Sequence, residues 1–331
     1  MPMSMRDERI ALMHQVLRLE RPERMPLMGD WRNGEYRPDI YHLGEPELVD
    51  EGEVKVSTDG KRAFTRDGGV WAVGDQELYR EPEDVLDVDL DRFEVEEVGP
   101  AMLAEMQRLY SSLADQCYVG AWHYGTLVTR ATLEFGWEPF LLAAALDPER
   151  FGEICARFGE ASLAVARGWA QTDGIELIFI HDDIAATRGP ILSPDWYRQY
   201  AFPWHKRIFD AIHEAGKKAV YVSDGNYLPV LDDVLANGPD GLYIESTSMD
   251  PAELMHRAGP EMIYLLKSNS RNTDHGTPED VRRELLQFRE LHEQYPGIIM
   301  YRGGGRLPEN VQAFNRYYQE YLVYGTPSPT A

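Results

Sequence analysis

Seven times along this 331-residue chain, a short apolar run stops at polar or ionisable residues and gives way to a segment with helical periodicity. The runs end at Asp30 (Met25 to Gly29), His123 (Tyr118 to Trp122), His181-Asp182-Asp183 (Leu177 to Ile180), Asp224 (Ala219 to Ser223), Glu245 (Gly241 to Ile244), Lys267 (Met262 to Leu266) and Arg302 (Ile298 to Tyr301). Apolar runs alternating with helices describe parallel strands buried on both faces. The pattern predicts an α/β chain folded as a (β/α)8 TIM barrel in one domain over residues 1–331. In a barrel the C-terminal strand tips converge on one mouth, where the chemistry sits. The polar tips therefore nominate the active site.

Punctuation supports the alternation. Ser193-Pro194, Asp147-Pro148, Asp250-Pro251 and Thr277-Pro278 each place a capping side chain before a proline at the first helical position. Gly216, Gly238 and Gly259 stand where helix C-termini need a left-handed residue. Helices are predicted at about 101–114, 126–146, 148–172, 194–215, 227–237, 251–258, 278–295 and 308–324, with an amphipathic N-terminal helix over 5–20 that ends at Arg21-Pro22. One insertion, about 50–97, departs from the rhythm. Val54 to Val73 alternates around Asp59-Gly60 and Asp67-Gly68-Gly69 and reads as a β-hairpin or small meander. The acidic stretch Glu81 to Glu97 reads as a solvated connection.

A formal net charge of -23 disfavours nucleic acid, anionic membranes and polyanionic ligands. Cys117 and Cys155 form neither a CxxC nor a metal-ligand spacing and read as core residues. Residues 1–20 are charged at Arg6, Asp7, Glu8 and Arg9, and no run approaches the ~20 apolar residues needed to span a membrane. A cytoplasmic protein is expected. Triple glycine at 303–305 follows a strand and could bring backbone amides to an anion. No dinucleotide or P-loop motif accompanies it, and no nucleotide cofactor is expected.

The stretch His181-Asp182-Asp183-Ile184-Ala185, then Arg188 to Pro194, then Tyr197 to Pro203 and Lys206, resembles the uroporphyrinogen decarboxylase superfamily. Val222-Ser223-Asp224-Gly225-Asn226 is similar to that superfamily's His-x-Cys-Gly-Asn segment. Gly241 to Glu245 resembles its following strand with a terminal Glu, and Thr277 to Val281 and Pro308 to Val311 its last two helix starts. The resemblance spans most of residues 5–325. It implies one of two chemistries, decarboxylation of a tetrapyrrole's acetate arms or zinc-dependent methyl transfer involving corrinoid proteins. The decarboxylases carry an Arg-x-x-x-Arg pair, which here reads Trp31 and Glu35, with Arg32 and Arg37 nearby; an aromatic and an anion would reverse the electrostatics needed for a polycarboxylate. The zinc enzymes use His-x-Cys and a late Cys, whose places are taken by Val222, Asp224 and Gly304. Neither familiar site is present as usually built.

The expected activity is transfer of a methyl group from a small O- or N-methylated aromatic substrate to a corrinoid protein. Asp183, Asp224, Glu245 and His123 are the candidate catalytic residues. Asp30, Trp31, Tyr36, Trp122, His181, Asp182, Lys267, Asn269 and Arg302 are candidates for substrate binding. Asp224 and Glu245, with His123 or His181, could hold Zn2+ or another divalent ion. Along a strand, alternation sends one of Asp182 and Asp183 into the barrel and the other outward, and the sequence leaves open which. Two alternatives stand beside this reading: a decarboxylase of a tetrapyrrole or smaller carboxylated substrate using Asp30 or Asp183, and a non-catalytic corrinoid or tetrapyrrole carrier. The family also suggests a homodimer.

Overall fold

A computed structural model describes residues 4–29, 38–43, 48–51, 54–57, 62–64, 70–72, 78–95 and 98–322. Eight parallel strands close into a barrel: β1 (Leu27–Met28), β2 (Ile40–Leu43), β3 (Tyr118–Tyr124), β4 (Leu177–His181), β5 (Lys218–Val222), β6 (Gly241–Glu245), β7 (Ile263–Lys267) and β8 (Ile298–Tyr301). Each pairs with its chain neighbours, and β1 closes the ring on β8. Seven of these strands match the apolar runs. The eighth, β2, escaped notice because Ile-Tyr-His-Leu is only four residues long and carries a histidine in its middle.

Strand alternation divides the core in two. Met28, Ile40, Tyr118, Trp122, Leu177, Phe179, Val220, Val222, Tyr243, Ile263, Leu265 and Ile299 pack together inside the barrel. Val119, Ala121, Ile178, Ile180, Ala219, Tyr221, Leu242, Ile244, Tyr264, Leu266, Ile298 and Met300 face the helices and join the larger cluster there. Both faces of every strand are dry, which is why the runs read as continuously apolar rather than alternating. At the N-terminal end, Arg24 forks onto both carboxylate oxygens of the buried Asp39, which also accepts the Leu27 amide at 2.9 Å. That pair ties the entry of β1 to the entry of β2, opposite the mouth.

The four predicted caps form. Asp147 accepts from the Arg150 amide, Ser193 from Trp196, Asp250 from Ala252, and Thr277 from Asp280 in a reciprocal capping box. Several helices are more broken than their periodicity suggests. The segment 126–146 is two helices, Val128–Phe135 and Trp137–Leu146, separated at Gly136 with φ 78°. The segment 194–215 contains a π-helical turn at Tyr197–Ala201, between Pro194–Trp196 and Phe202–Glu214. The insertion is a four-stranded antiparallel sheet of Leu48–Glu51, Val54–Ser57, Arg62–Phe64 and Val70–Ala72, the small meander rather than the hairpin, and it begins at Leu48, before the alternating stretch. The acidic stretch that follows is no mere solvated connection. It forms a helix at Pro82–Leu86 and a 3-10 turn at Leu90–Arg92, anchored by the buried Val85, Val88 and Phe93. Charge dominates its composition, but three apolar side chains fix its position.

Both cysteines are buried thiols, as their context suggested. Among the described residues, no helix is long and apolar enough to cross a membrane.

One buried acid outside the mouth makes stability depend on pH. Glu284, on the helix Pro278–Gln294, accepts the Asn269 amide at 2.6 Å and the Asn272 side-chain amide at 2.8 Å, fastening the loop after β7. Burial pushes its carboxyl up to about 7, while those two donors pull the other way. The unfolded chain releases this proton near 4.5, so between that pH and about 7 the folded state holds the extra proton. Stability should therefore fall as pH rises through this window and level off above it. Urea midpoints at about pH 5 and about pH 8 should show the slope, and Glu284→Gln should remove it.

Candidate active site

The inner-face parity of each strand continues to its tip. On β6, Tyr243 points into the barrel, so Glu245 does too. On β7, Leu265 leads to Lys267, and on β8 Ile299 leads to Tyr301. On β5, Val220 and Val222 lead to Asp224, just past the last strand residue. On β4, Leu177 and Phe179 lead to His181, with Asp183 beyond it. In register, Tyr124 stands opposite His181, His181 opposite Val222, Glu245 opposite Lys267, and Lys267 opposite Tyr301. Neighbouring tips thereby bring one histidine, three carboxylates and one ammonium together.

The links are specific. His181 Nε2 and Asp183 Oδ1 are 2.9 Å apart, and the Asp224 amide donates to the same Asp183 oxygen at 2.7 Å. The Thr129 hydroxyl accepts the Asp183 amide at 2.6 Å. Tyr243 donates its hydroxyl proton to Asp224 Oδ1 at 2.9 Å, and Lys267 Nζ lies 3.7 Å from that oxygen and 3.3 Å from Glu245 Oε1. Glu245 is held from its other side by the Gly225 amide and the Ser248 hydroxyl. Burial pulls the Lys267 pKa down, but Asp224 and Glu245 outweigh it and the net shift is upward, so Lys267 remains an ammonium. Burial, reinforced by the same two acids, keeps the Tyr243 phenol protonated. Asp183 is 22% exposed and Asp224 45%. Their Oδ2 atoms accept no hydrogen bond from any described residue.

Aromatic rings surround His181. Tyr124 meets it edge-on at 4.3 Å and Trp122 at 5.6 Å between centroids. His42, on the overlooked β2, leans on Trp122 at 4.7 Å and meets Tyr301 edge-on at 6.5 Å.

Several expected site residues lie elsewhere. Asp182 is the outward member of its pair: it is fully buried, its Oδ1 accepts the amides of Leu127 and Thr129, and its Oδ2 pairs with the buried His205 at 2.8 Å. It caps the helix Val128–Phe135 from behind the barrel wall, away from the mouth. His123 does not join the acids, because alternation turns it to the outer face beside Met102, Met106, Val165 and Trp169. Burial, and then Arg130, hold its pKa down to about 4, and its Nε2 has no hydrogen-bond partner among the described residues. Asn269 caps the short helix Ser270–Asp274 and gives its amide to Glu284. Arg302 follows Tyr301 and is half-buried. Asp30, Trp31 and Tyr36 lie outside the described residues.

The glycine loop is not an open anion cradle. The Gly303 amide donates to Ser268 Oγ, and those of Gly305 and Arg306 to Asp274 Oδ1. Conversely, sequence reasoning overlooked Tyr243, Tyr124 and His42. Tyr243 was within reach of it, since a residue two before Glu245 on a strand shares its face.

His181, Asp183 and Asp224 offer ligand atoms that all lie within 4.8 Å of one another, close enough to hold a metal ion. Glu245 is not part of that group, being committed to Lys267. The spacing suits a metal, but the histidine's proton does not. The Trp122 indole N–H donates to His181 Nδ1 at 3.2 Å. An indole nitrogen can only donate, so Nδ1 accepts and the proton of the neutral ring sits on Nε2, the nitrogen that faces the carboxylates.

A family model described as uroporphyrinogen decarboxylase (URO-D) matches residues 80–321. Among solved structures, a methyltransferase from Methanosarcina mazei superposes with a TM-score of 0.63 at 16% identity, over 95% of this chain and 98% of that one. A B12-independent methionine synthase from Shewanella sp. W3-18-1 gives a TM-score of 0.46 at 11% identity, over 66% of this chain and 65% of that one. No curated protein matches the sequence. The first of these structures has the same fold from end to end.

Proposed function

The chain belongs to the uroporphyrinogen decarboxylase family, and from that membership we propose that it is a methyltransferase, removing a methyl group from a small O- or N-methylated aromatic substrate and passing it to the corrinoid of a partner protein. The observation that carries this reading is Lys267, a permanent ammonium at the mouth between Asp224 and Glu245. Demethylation breaks a methyl–oxygen or methyl–nitrogen bond, and the heteroatom leaves with the electron pair. A fixed positive charge facing that atom stabilises the developing anion without reorganising at the moment of reaction. Solvent then supplies its proton. The corrinoid, brought by the partner, supplies the nucleophile that takes the methyl group.

The rest of the mouth supports the same assignment. Asp183 Oδ2 and Asp224 Oδ2 are available to orient a substrate N–H or O–H, and the partly exposed rings of Tyr124 and Tyr301 stand on the strand tips beside those of His181 and Lys267, where they could flank an aromatic substrate. Asp224, nearly half exposed, keeps the reacting end open to a second protein. A polycarboxylated substrate meets the opposite conditions. Among the described residues, three carboxylates against Lys267 and Arg302 leave the mouth negative, and that field repels the acetate arms of a tetrapyrrole.

The test supplies the protein with a reduced corrinoid protein and a panel of aryl methyl ethers and N-methylated aromatic amines. At least one donor should lose its methyl group with a matching change in corrinoid absorbance. No change with any donor, while the corrinoid protein accepts methyl groups from a chemical methylating agent, would overturn the proposal.

A further inference from the structure

We infer that Trp122 is a positioning residue that fixes His181 as an Nε2–H donor to Asp183, and that this makes the His181–Asp183–Asp224 group a metal-free, proton-holding site despite its metal-like spacing. The inference rests on the proposed function and deepens it, because it leaves the Lys267 ammonium, rather than a metal ion, as the positive charge that faces the leaving atom.

The argument is one of hydrogen inventory. A neutral imidazole has one N–H, and a histidine that binds a metal through one nitrogen donates the proton on the other to a carboxylate, carbonyl or water. Here the nitrogen remote from the acids faces a donor. Moving the proton to Nδ1, as metal binding at Nε2 requires, would set it against the Trp122 N–H and break the 3.2 Å bond. It would also strip Asp183 of its 2.9 Å donor. The ring cannot escape by flipping, because that would put carbon atoms where both hydrogen bonds are made.

Trp122 is held firmly enough to enforce this. It is 3% exposed, stacks on Phe179 at 5.0 Å between centroids and packs against His42 at 4.7 Å. Asp183 Oδ1 in turn takes both His181 Nε2–H and the Asp224 amide, which leaves Oδ2 without a hydrogen bond from any described residue. Lys267, 3.7 Å from Asp224 Oδ1, already supplies the positive charge a metal would bring.

The test reads metal and tautomer rather than turnover, so it stands apart from the identity of the methyl donor. Wild-type protein freed of metal by a chelator should take up Zn2+ only weakly in a calorimetric titration. Trp122→Phe, which keeps an aromatic ring and removes the N–H, should tighten zinc binding by about 10–100-fold, the usual scale of an outer-shell change. Adding Asp183→Ala to that variant should cancel the gain. Nitrogen-15 spectra of labelled wild-type histidines should show the His181 proton on Nε2 and a bare Nδ1, a readout that stands even if the tryptophan variant folds poorly. Stoichiometric tight zinc in the wild type that Asp183→Ala abolishes, or a His181 proton on Nδ1, would overturn the inference.

Discussion

Asp182→Ala should cost the fold about 3–5 kcal/mol, because it leaves fully buried polar partners without their acceptor. Three buried donors lose their acceptor at once: the Leu127 and Thr129 amides and His205. Against a typical total of about 5–15 kcal/mol, the variant should unfold at a much lower urea concentration. Asp182→Asn should lose less. Its oxygen still caps the helix, and His205 can move its proton to Nδ1, which has no hydrogen-bond partner among the described residues of the wild type. The adjacent Asp183→Asn should leave the urea midpoint nearly unchanged, since its side chain is partly exposed at the mouth. Equal midpoints for the Asp182 and Asp183 variants would contradict the placement of these neighbours on opposite faces of the barrel wall.

Lys267→Met should lower turnover with the best methyl donor by about 10²–10³-fold, the cost typical of removing one preorganised group that stabilises transition-state charge. The loss should appear in kcat more than in KM, because the ammonium meets its full partner only as the heteroatom leaves. Lys267→Arg should recover part of it by restoring the charge with different geometry. A Lys267→Met enzyme with unchanged kcat would remove the lysine from the chemistry and leave it only a structural counter-ion for Asp224 and Glu245. Binding of the donor, measured separately, would then show whether the mouth still orients substrate.

How much of this was legible in the sequence depends on how local the governing physics is. The caps at Asp147, Ser193, Asp250 and Thr277 were readable because each is settled within a few residues of chain. The apolar runs were readable because both faces of a barrel strand are buried, so their composition carries the signal without any register. The run at β2 was too short to carry it. The acidic stretch from Glu81 misled because charge describes its exposed atoms, whereas Val85, Val88 and Phe93 decide where it packs.

The candidate site divides along the same line. Asp224, Glu245 and Lys267 could be nominated as strand-tip residues, and they do meet. The choice between Asp182 and Asp183 needed the parity set by Leu177 and Phe179 inside the barrel, and the same parity sends His123 outward. In principle Trp122 and His123 could be separated by pattern alone, but both run members and tip residues there are aromatic, so hydrophobicity gives no phase.

The sequence by itself determined a barrel of parallel strands, a family, and a mouth rich in acids, since these follow from burial and from local capping. Tertiary structure alone decided that Lys267 is clamped between two carboxylates, that Asp182 serves the fold while Asp183 faces the mouth, and that His181 carries its proton on Nε2. The last is set by an indole 59 residues away in the chain. A proton's position depends on which donor the fold brings to the other side of the ring, and no spacing along the chain encodes that encounter.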